Sequence, residues 1–449
     1  MTEPDCRRST DTDPAGVPFA DLDPALLRAQ RTSLKWTRFP ADVLPLFVAE
    51  MDFAVAPVIR DAIIARVEAS DTGYLDGPGP LAPAFADYAA SAWNWNVPLD
   101  HVYLATDVAT GVVESLRIGW ELSRRKAAAG DTPTSGRIVV PTPVYPGFFE
   151  MLQEVPYEIV EVPLAPVASA APAAAAGAAA STAAADDGSG SGTPDPAPHD
   201  SPELRLNLPA IARAFEAGAD AFLLCNPHNP HGTVHTEAEL AELARLAAAH
   251  DVFVVSDEIH APLTHAGERF VPFAPLAAAA GALAVVATSA SKGWNLAGAK
   301  CSVIVAADER ANIALQELPP ETVTRASILG LHASIAAFSE ARDWLDRAIA
   351  QIEANATLLA ELVAAQLPGV RLARPRAGYL AWLDFREAGL GSDPHAKILT
   401  EARVALNNGA DFGLGGAGHV RLNLACAPDT IRAAVARIAA ILPAGKVSA

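Results

Sequence analysis

Between His101 and about Ala306, six short apolar runs, VYLAT, RIVVP, AFLLC, VFVVS, LAVVAT and SVIVA, alternate with stretches patterned for helix. Strands separated by helices return by crossovers and so tend to lie parallel to one another, and runs this continuously apolar must be covered on both faces. One of the connections is explicit. In TEAELAELARLAAAH, between AFLLC and VFVVS, Thr236 and Glu239 have capping-box spacing, and Leu240, Leu243 and Ala247 recur along one face. The pattern predicts an α/β fold: a mostly parallel sheet flanked by helices.

After about Arg310 the text changes to long helices. One of them carries Ile349, Ile352, Ala356 and Leu359 on a single face and stops at Pro368 and Gly369. The strand-like VRLAR and YLAWLDF follow, so a second, smaller α/β domain is expected. Residues 1–57 read as an N-terminal arm and part of that small domain, 58–320 as the large domain and 321–449 as the remainder of the small one. Residues 165–201 are rich in Ala, Pro, Gly, Ser and Asp with no periodic apolar face, which predicts a disordered insertion leaving the large domain. The strand-like PYEIVEVPL precedes it and the helix-like LPAIARAFEAG follows it.

Lys+Arg 33 against Asp+Glu 52 leaves a net charge of −19, which argues against nucleic acid or an anionic membrane as the main partner. Its 4 cysteines are dispersed and form no CxxC pair, so neither a disulfide framework nor a thiolate zinc site is expected. The opening MTEPDCRRSTDTDPAG lacks the apolar core of an export signal, and the Ala-rich run from Ala165 to Ala185 is too weakly apolar for a bilayer. A cytoplasmic protein is expected.

In open parallel sheets, ligands bind beyond the carboxyl ends of the strands. VYLAT is followed by DVATGVVESL, RIVVP by TPVYPGFF, AFLLC by NPHNPHG, VFVVS by DEIH and LAVVAT by SASKGWN. Together these ends supply what pyridoxal phosphate requires: a lysine for the aldehyde, an acid facing the pyridine nitrogen, donors to the phenolic oxygen, a flat ring and an anion site. Lys292 is the candidate for covalent attachment. Asp257 ends an apolar strand, where a protonated ring nitrogen would compensate its burial; EIHAPL after it opens no convincing helix, so a capping role is the weaker reading. Tyr145 could lie on the ring, and Asn229 and His260 could reach the phenolic oxygen. A helix is expected to begin at GVVESLRIGW, leaving the N–H groups of Val112 and Val113 for the phosphate, with Ser289 and Lys300 adding a hydroxyl and a positive charge.

His228, His231, His235, His260 and His265 invite a metal reading, but Pro227 and Pro230 preclude the helical face that HExxH-type ligation uses. No GxSxG, Walker or GxGxxG motif stands in strand–helix context.

KWTRFPADVLPLFVAEMDF, GYLDGP, PTPVYPGFF, LLCNPHNPHG, VVSDEIHAPL, SASKGWNLAG, GYLAWLDF and HVRLNLAC together resemble fold-type I pyridoxal phosphate enzymes of the class I/II aminotransferase superfamily, in the MalY/PatB cystathionine β-lyase branch. The resemblance runs from about Lys35 to Pro428, apart from the insertion. It implies a seven-stranded large-domain sheet, and it gives Lys292, Asp257, Asn229, His260, Tyr145, Ser289, Lys300 and the amides near Val112 the roles above. It also implies that Arg421 clamps the α-carboxylate of a small amino-acid substrate. Tyr74 would reach the phosphate of a neighbouring subunit, making a homodimer part of the site. The chain departs from the family pattern at Glu50, Thr110, His231, Ala299 and His419. The implied reaction is α,β-elimination of L-cystathionine or a related S-substituted L-cysteine to pyruvate, ammonia and a thiol. An aminotransferase shares the steps through the Cα carbanion, and a cofactor-binding regulatory protein is the reading from another class.

Overall fold

The computed structural model describes Phe19 and residues 22–126, 134–167 and 201–443. All six apolar runs form strands of one sheet: β1 (Val102–Ala105), β2 (Gly136–Thr142), β4 (Ala221–Cys225), β5 (Phe253–Asp257), β6 (Ala284–Thr288) and β7 (Ser302–Ala306), with β3 (Tyr157–Pro163) as the seventh. The strand order is β1-β7-β6-β5-β4-β2-β3. Pairings among β3, β2, β4, β5 and β6 are parallel, whereas β7 is antiparallel to both β6 and β1. The exception has a local cause. The β6–β7 link holds only a single helical turn, Ala290–Gly293, and a 3-10 turn, Ala297–Ala299, so no crossover helix carries the chain back.

Helix α1 (Val108–Lys126) follows β1 and turns Val112, Val113, Leu116 and Trp120 into the core beneath the sheet. Helix α2 (Glu237–Ala249) has the expected capping box at Thr236 and Glu239 and buries Leu240, Leu243 and Ala247 on the opposite face. Both layers are therefore covered by helices, and every residue of β4, β5, β6 and β7 is buried.

A second, antiparallel sheet is built from β8 (Arg371–Ala373), β9 (Leu380–Asp384), β10 (Asn407–Asn408) and β11 (His419–Asn423), in the order β8-β9-β11-β10. VRLAR and YLAWLDF give β8 and β9 as expected. Helix α3 (Arg342–Gln366) buries Ile349, Ile352, Ala356 and Leu359 in the same core as this sheet. Complete burial of Ile352 and Leu359 contributes about 1.5–3 kcal/mol each. By length and composition α3 could cross a membrane, but its apolar face is taken up by this packing.

Of the expected disordered insertion, residues 165–201, all but 165–167 and Ser201 lie outside the described residues. At its base Ala165–Pro166 pairs antiparallel with Leu204–Arg205. Toward the N-terminus, Leu44–Pro45 pairs with Val404–Ala405, and the next stretch, Phe47 to Phe53, crosses above the ends of the large sheet. That strap has little regular structure. Side chains hold its carbonyls instead: Arg421 that of Phe47, Asn423 those of Val48 and Glu50, Asn295 and Arg31 that of Met51.

Candidate active site

The carboxyl ends of β2, β4, β5 and β6, the strap, and one face of the second sheet meet around a buried polar cluster. Lys292 enters it from the helical turn after β6. Ser289 caps that turn, its Oγ accepting the Ser291 N–H at 2.9 Å. Lys292 Nζ donates to the Ala49 carbonyl at 2.8 Å, and the Tyr379 hydroxyl donates to the same oxygen at 2.9 Å. Burial, with the positive charge of Arg421 adding to it, brings the Lys292 amine down to about 8; Asp257 and Glu50 act in the opposite sense.

Asp257, the last residue of β5, is 6% exposed and forms no ion pair among the described residues. Desolvation pushes its carboxyl up to about 6, opposed by the Ile259 N–H at 3.0 Å and the charge of Lys292. No α-helix begins after it; only the short 3-10 turn Ala261–Leu263 follows, so Asp257 is not a helix cap. Next to it, His260 is buried with Nδ1 unpartnered, and desolvation together with the charges of Lys292 and Arg421 holds it neutral, at about 3.

Arg421 enters from β11. One guanidinium nitrogen donates to Asn229 Oδ1 at 3.0 Å and another to Asn407 Oδ1 at 2.6 Å, while Nε is buried without a partner. Its guanidinium stands 5.2 Å from the Phe412 ring centre. It is 3% exposed and, among the described residues, has no acidic partner. A buried guanidinium compensated only by neutral groups is costly unless an anion joins it. A carboxylate is the anion that its planar fork fits. Tyr145, after β2, donates its N–H to the Asn229 carbonyl at 3.1 Å, and its ring lies close enough to feel the charges of both Arg421 and Asp257.

The anion corner differs from the expectation in one respect. Helix α1 begins at Val108 rather than near Gly111, so Val112 and Val113 sit a full turn inside it, where N–H groups pair along the helix. Their side chains are core, at 0% and 5% exposed. Asp107 causes the earlier start: its Oδ1 accepts both the N–H and the hydroxyl of Thr110 at 2.9 Å, and its carbonyl accepts the Gly111 N–H. Lys300 reaches this end of the helix, pairing with Asp107 Oδ2 at 2.7 Å, and Ser289 Oγ donates to the Cys301 carbonyl at 2.9 Å. Tyr74 is 91% exposed and lies outside the cluster.

Lys292, Asp257, Asn229, His260, Tyr145 and Arg421 are thus gathered in one cluster. Ala49, Tyr379 and Asn407 belong there as well. Nothing in their local sequence announces it, because a carbonyl leaves no signature and Tyr379 reads as the first core residue of an apolar strand. Of the suspected histidines, His228 bonds the Pro143 carbonyl, His235 that of Cys225 and His265 that of Gly378, each through Nε2, while Nδ1 of His228, His231, His235 and His260 is buried without a partner. Among the described residues no group of 3 or more His, Cys, Asp or Glu could hold a metal ion.

An amine of lowered basicity, a buried acid without a cation, an unpartnered imidazole nitrogen and a buried arginine lacking an anion fit pyridoxal 5'-phosphate carrying an amino acid. The family model for aminotransferase class I and II matches residues 188–438. A Mycobacterium leprae protein provisionally named a cystathionine beta-lyase is 37% identical over 91% of this chain and 94% of its own length. The cystathionine beta-lyase of Corynebacterium glutamicum is 32% identical over 92% of this chain and 97% of its own. A solved Corynebacterium diphtheriae structure, provisionally described as a PLP-dependent beta-cystathionase, superposes with a TM-score of 0.77 at 31% identity, covering 93% of this chain and 97% of that one. The chain belongs to the aminotransferase class I and II family. Within it, the protein is a pyridoxal 5'-phosphate-dependent carbon–sulfur lyase.

Proposed function

We propose that the protein eliminates the sulfur substituent from L-cystathionine or a related S-substituted L-cysteine, giving pyruvate, ammonia and a thiol. The supporting observation is the convergence of Lys292, Asp257 and an anion-free Arg421 in one buried cluster. When bound, the cofactor supplies an electron sink for the Cα carbanion. Arg421 holds the α-carboxylate with its fork, replacing part of its present bonding to Asn229 and Asn407. Asp257 keeps the pyridine nitrogen protonated, a pairing that also offsets the cost of its own burial. Lys292 removes the Cα proton; with its basicity lowered to about 8 a useful fraction of the amine is neutral near neutral pH. Tyr379 and Lys292 share the Ala49 carbonyl, so the strap sets where Nζ stands once it is free.

Asn229 and the neutral His260 serve the phenolic oxygen, and Tyr145 stacks on the ring. Ser289, Lys300 and the N–H groups of Val108 and Ala109 in the first turn of α1 take the phosphate, in place of Val112 and Val113. A second copy of the chain, in a homodimer, brings the exposed Tyr74 to that phosphate. The protein acts in the cytoplasm. Incubation with L-cystathionine and no keto acid tests the reaction. Repeated turnover to pyruvate and free thiol supports elimination, whereas a single stoichiometric half-reaction that leaves the cofactor aminated identifies an aminotransferase.

A further inference from the structure

The strap has no ladder of its own, yet each of its carbonyls from Phe47 to Phe53 accepts a hydrogen bond from a side chain. Buried backbone oxygens need such partners, so the donors decide where the strap sits. Several come from elements remote from Lys292: Arg31 takes the Met51, Asp52 and Phe53 carbonyls, Lys35 that of Glu50, and Asn423 those of Val48 and Glu50. Asn295 comes from the same short β6–β7 link as Lys292. Its Nδ2 donates to the Met51 carbonyl at 3.0 Å and its Oδ1 accepts the Met51 N–H at 2.9 Å. One amide thus holds both polar groups of one residue, as a paired antiparallel strand would.

Both ends of this contact are fixed. Met51 is fully buried and packed in the core. In the link, the Leu296 N–H donates to the Ser291 carbonyl at 2.9 Å, and the buried Trp294 donates its indole N–H to the Ala341 carbonyl at 2.9 Å. Between them Asn295 stands at φ +58°, a left-handed conformation that asparagine tolerates better than most side chains. The bonds close a ring. From Lys292 Nζ it passes to the Ala49 carbonyl, along the strap to Met51, across to Asn295 and back through the link to Lys292. The meeting of Nζ with Ala49 is thereby set by Asn295 and not by lysine's own flexible stem.

We propose that Asn295 is a positioning residue for proton removal at Cα: it latches the strap to the lysine-bearing link and so fixes where the free Lys292 amine stands. The inference rests on Lys292 being the base that removes that proton, but not on the fate of the leaving group. Without the latch, Arg31, Asn423 and Arg421 still hold the rest of the strap, while Nζ loses its fixed acceptor and water reaches it. Misplacing a reacting group by about 1 Å can cost about 100-fold in rate.

The probe is L-norvaline, which has a Cα proton but no sulfur to eliminate. Asn295→Gly keeps the left-handed backbone and removes only the latch. Holoenzyme-catalysed deuterium exchange at norvaline Cα, read by NMR, should be about 10- to 100-fold slower in this variant. Norvaline affinity should stay within about 3-fold of wild type, because Arg421 is untouched. Labelling of Lys292 in the cofactor-free chain gives a readout without turnover. Burial and Arg421 lower the basicity of this amine, Asp257 and Glu50 raise it, and Tyr379 shares its acceptor. Admitting water should move the half-maximal pH of labelling in Asn295→Gly up from about 8 toward the ordinary 10.5. Asn295→Asp keeps the acceptor for the Met51 N–H but sets an oxygen against its carbonyl; it should slow exchange too, and it decides the matter if the glycine variant does not fold. Exchange within about 2-fold of wild type with the labelling midpoint unmoved, whatever the loss of stability, would overturn the latch. Thiol release from L-cystathionine by the wild type is scored separately: its absence beside slowed exchange in the variants would sink the lyase reading and leave the latch standing.

Discussion

Replacing Asp257 by asparagine should make the cofactor-free protein more stable, not less. The carboxyl is raised from 3.8 to about 6 by burial, so it is the ionised form that the folded protein disfavours. A shift of about two units corresponds to ~3 kcal/mol between the protonation states. The sign follows from linkage. Below the unfolded value both states hold the proton and nothing is lost; between 3.8 and about 6 the folded state retains it while the unfolded one releases it; above about 6 the full cost is present. Asparagine keeps an oxygen for the Ile259 N–H and cannot ionise. Urea unfolding of cofactor-free wild type and Asp257→Asn should therefore show a gain of up to ~3 kcal/mol at pH 7 that shrinks toward zero near pH 4. Glu258 lies next to Asp257 and is itself raised to about 8, chiefly by burial and least by that neighbour's charge, so the variant relieves it slightly in the same direction. Saturating pyridoxal phosphate should reverse the order, because only the carboxylate can pair with the protonated ring. A variant no more stable at pH 7, or a gain indifferent to pH, would refute the assignment of the shift to uncompensated burial.

Arg421→Lys keeps the charge but not the fork, and removing a buried charged hydrogen-bonding partner costs about 2–5 kcal/mol, so kcat/KM for amino-acid substrates should fall by roughly 30-fold or more. Labelling of Lys292 in cofactor-free protein by an amine reagent should be half-maximal in rate near pH 8, two units or so below an exposed lysine; a midpoint above 10 would contradict the burial argument. Tyr379→Phe removes one of the two donors to the Ala49 carbonyl, which should cost about 0.5–1.5 kcal/mol of stability by chemical unfolding and slow proton removal at Cα as read by a deuterium isotope effect. Gly378→Ala forces a side chain onto a backbone at φ +75° and brings its Cβ to 3.4 Å from His260 Nδ1, so reduced stability and weakened cofactor affinity should appear together.

The large sheet was legible because its strands are apolar throughout and its crossover helices are amphipathic; Thr236 and Glu239 even marked the start of α2. Strand β7 also announced itself by composition, but its reversed direction did not, since that depends on how little helix the β6–β7 link contains. The start of α1 was expected at GVVESLRIGW, whereas the capping carboxylate of Asp107 starts the helix a full turn earlier. Lys292, Asp257 and Asn229 were recognisable by their position at strand ends. Arg421 came from resemblance alone, because β11 lies far along the chain and only the pairing of β9, β10 and β11 brings Trp382, Asn407 and Arg421 side by side. Ala49 contributes a backbone oxygen through an irregular strap, and no residue pattern encodes such a contact.

Borohydride treatment of the holoenzyme followed by peptide mass mapping shows which amine carries the cofactor. The visible cofactor band should be lost and a stable reduced adduct should form only on the peptide carrying Lys292. An adduct on another lysine, or no adduct although the cofactor is bound, would contradict attachment at Lys292.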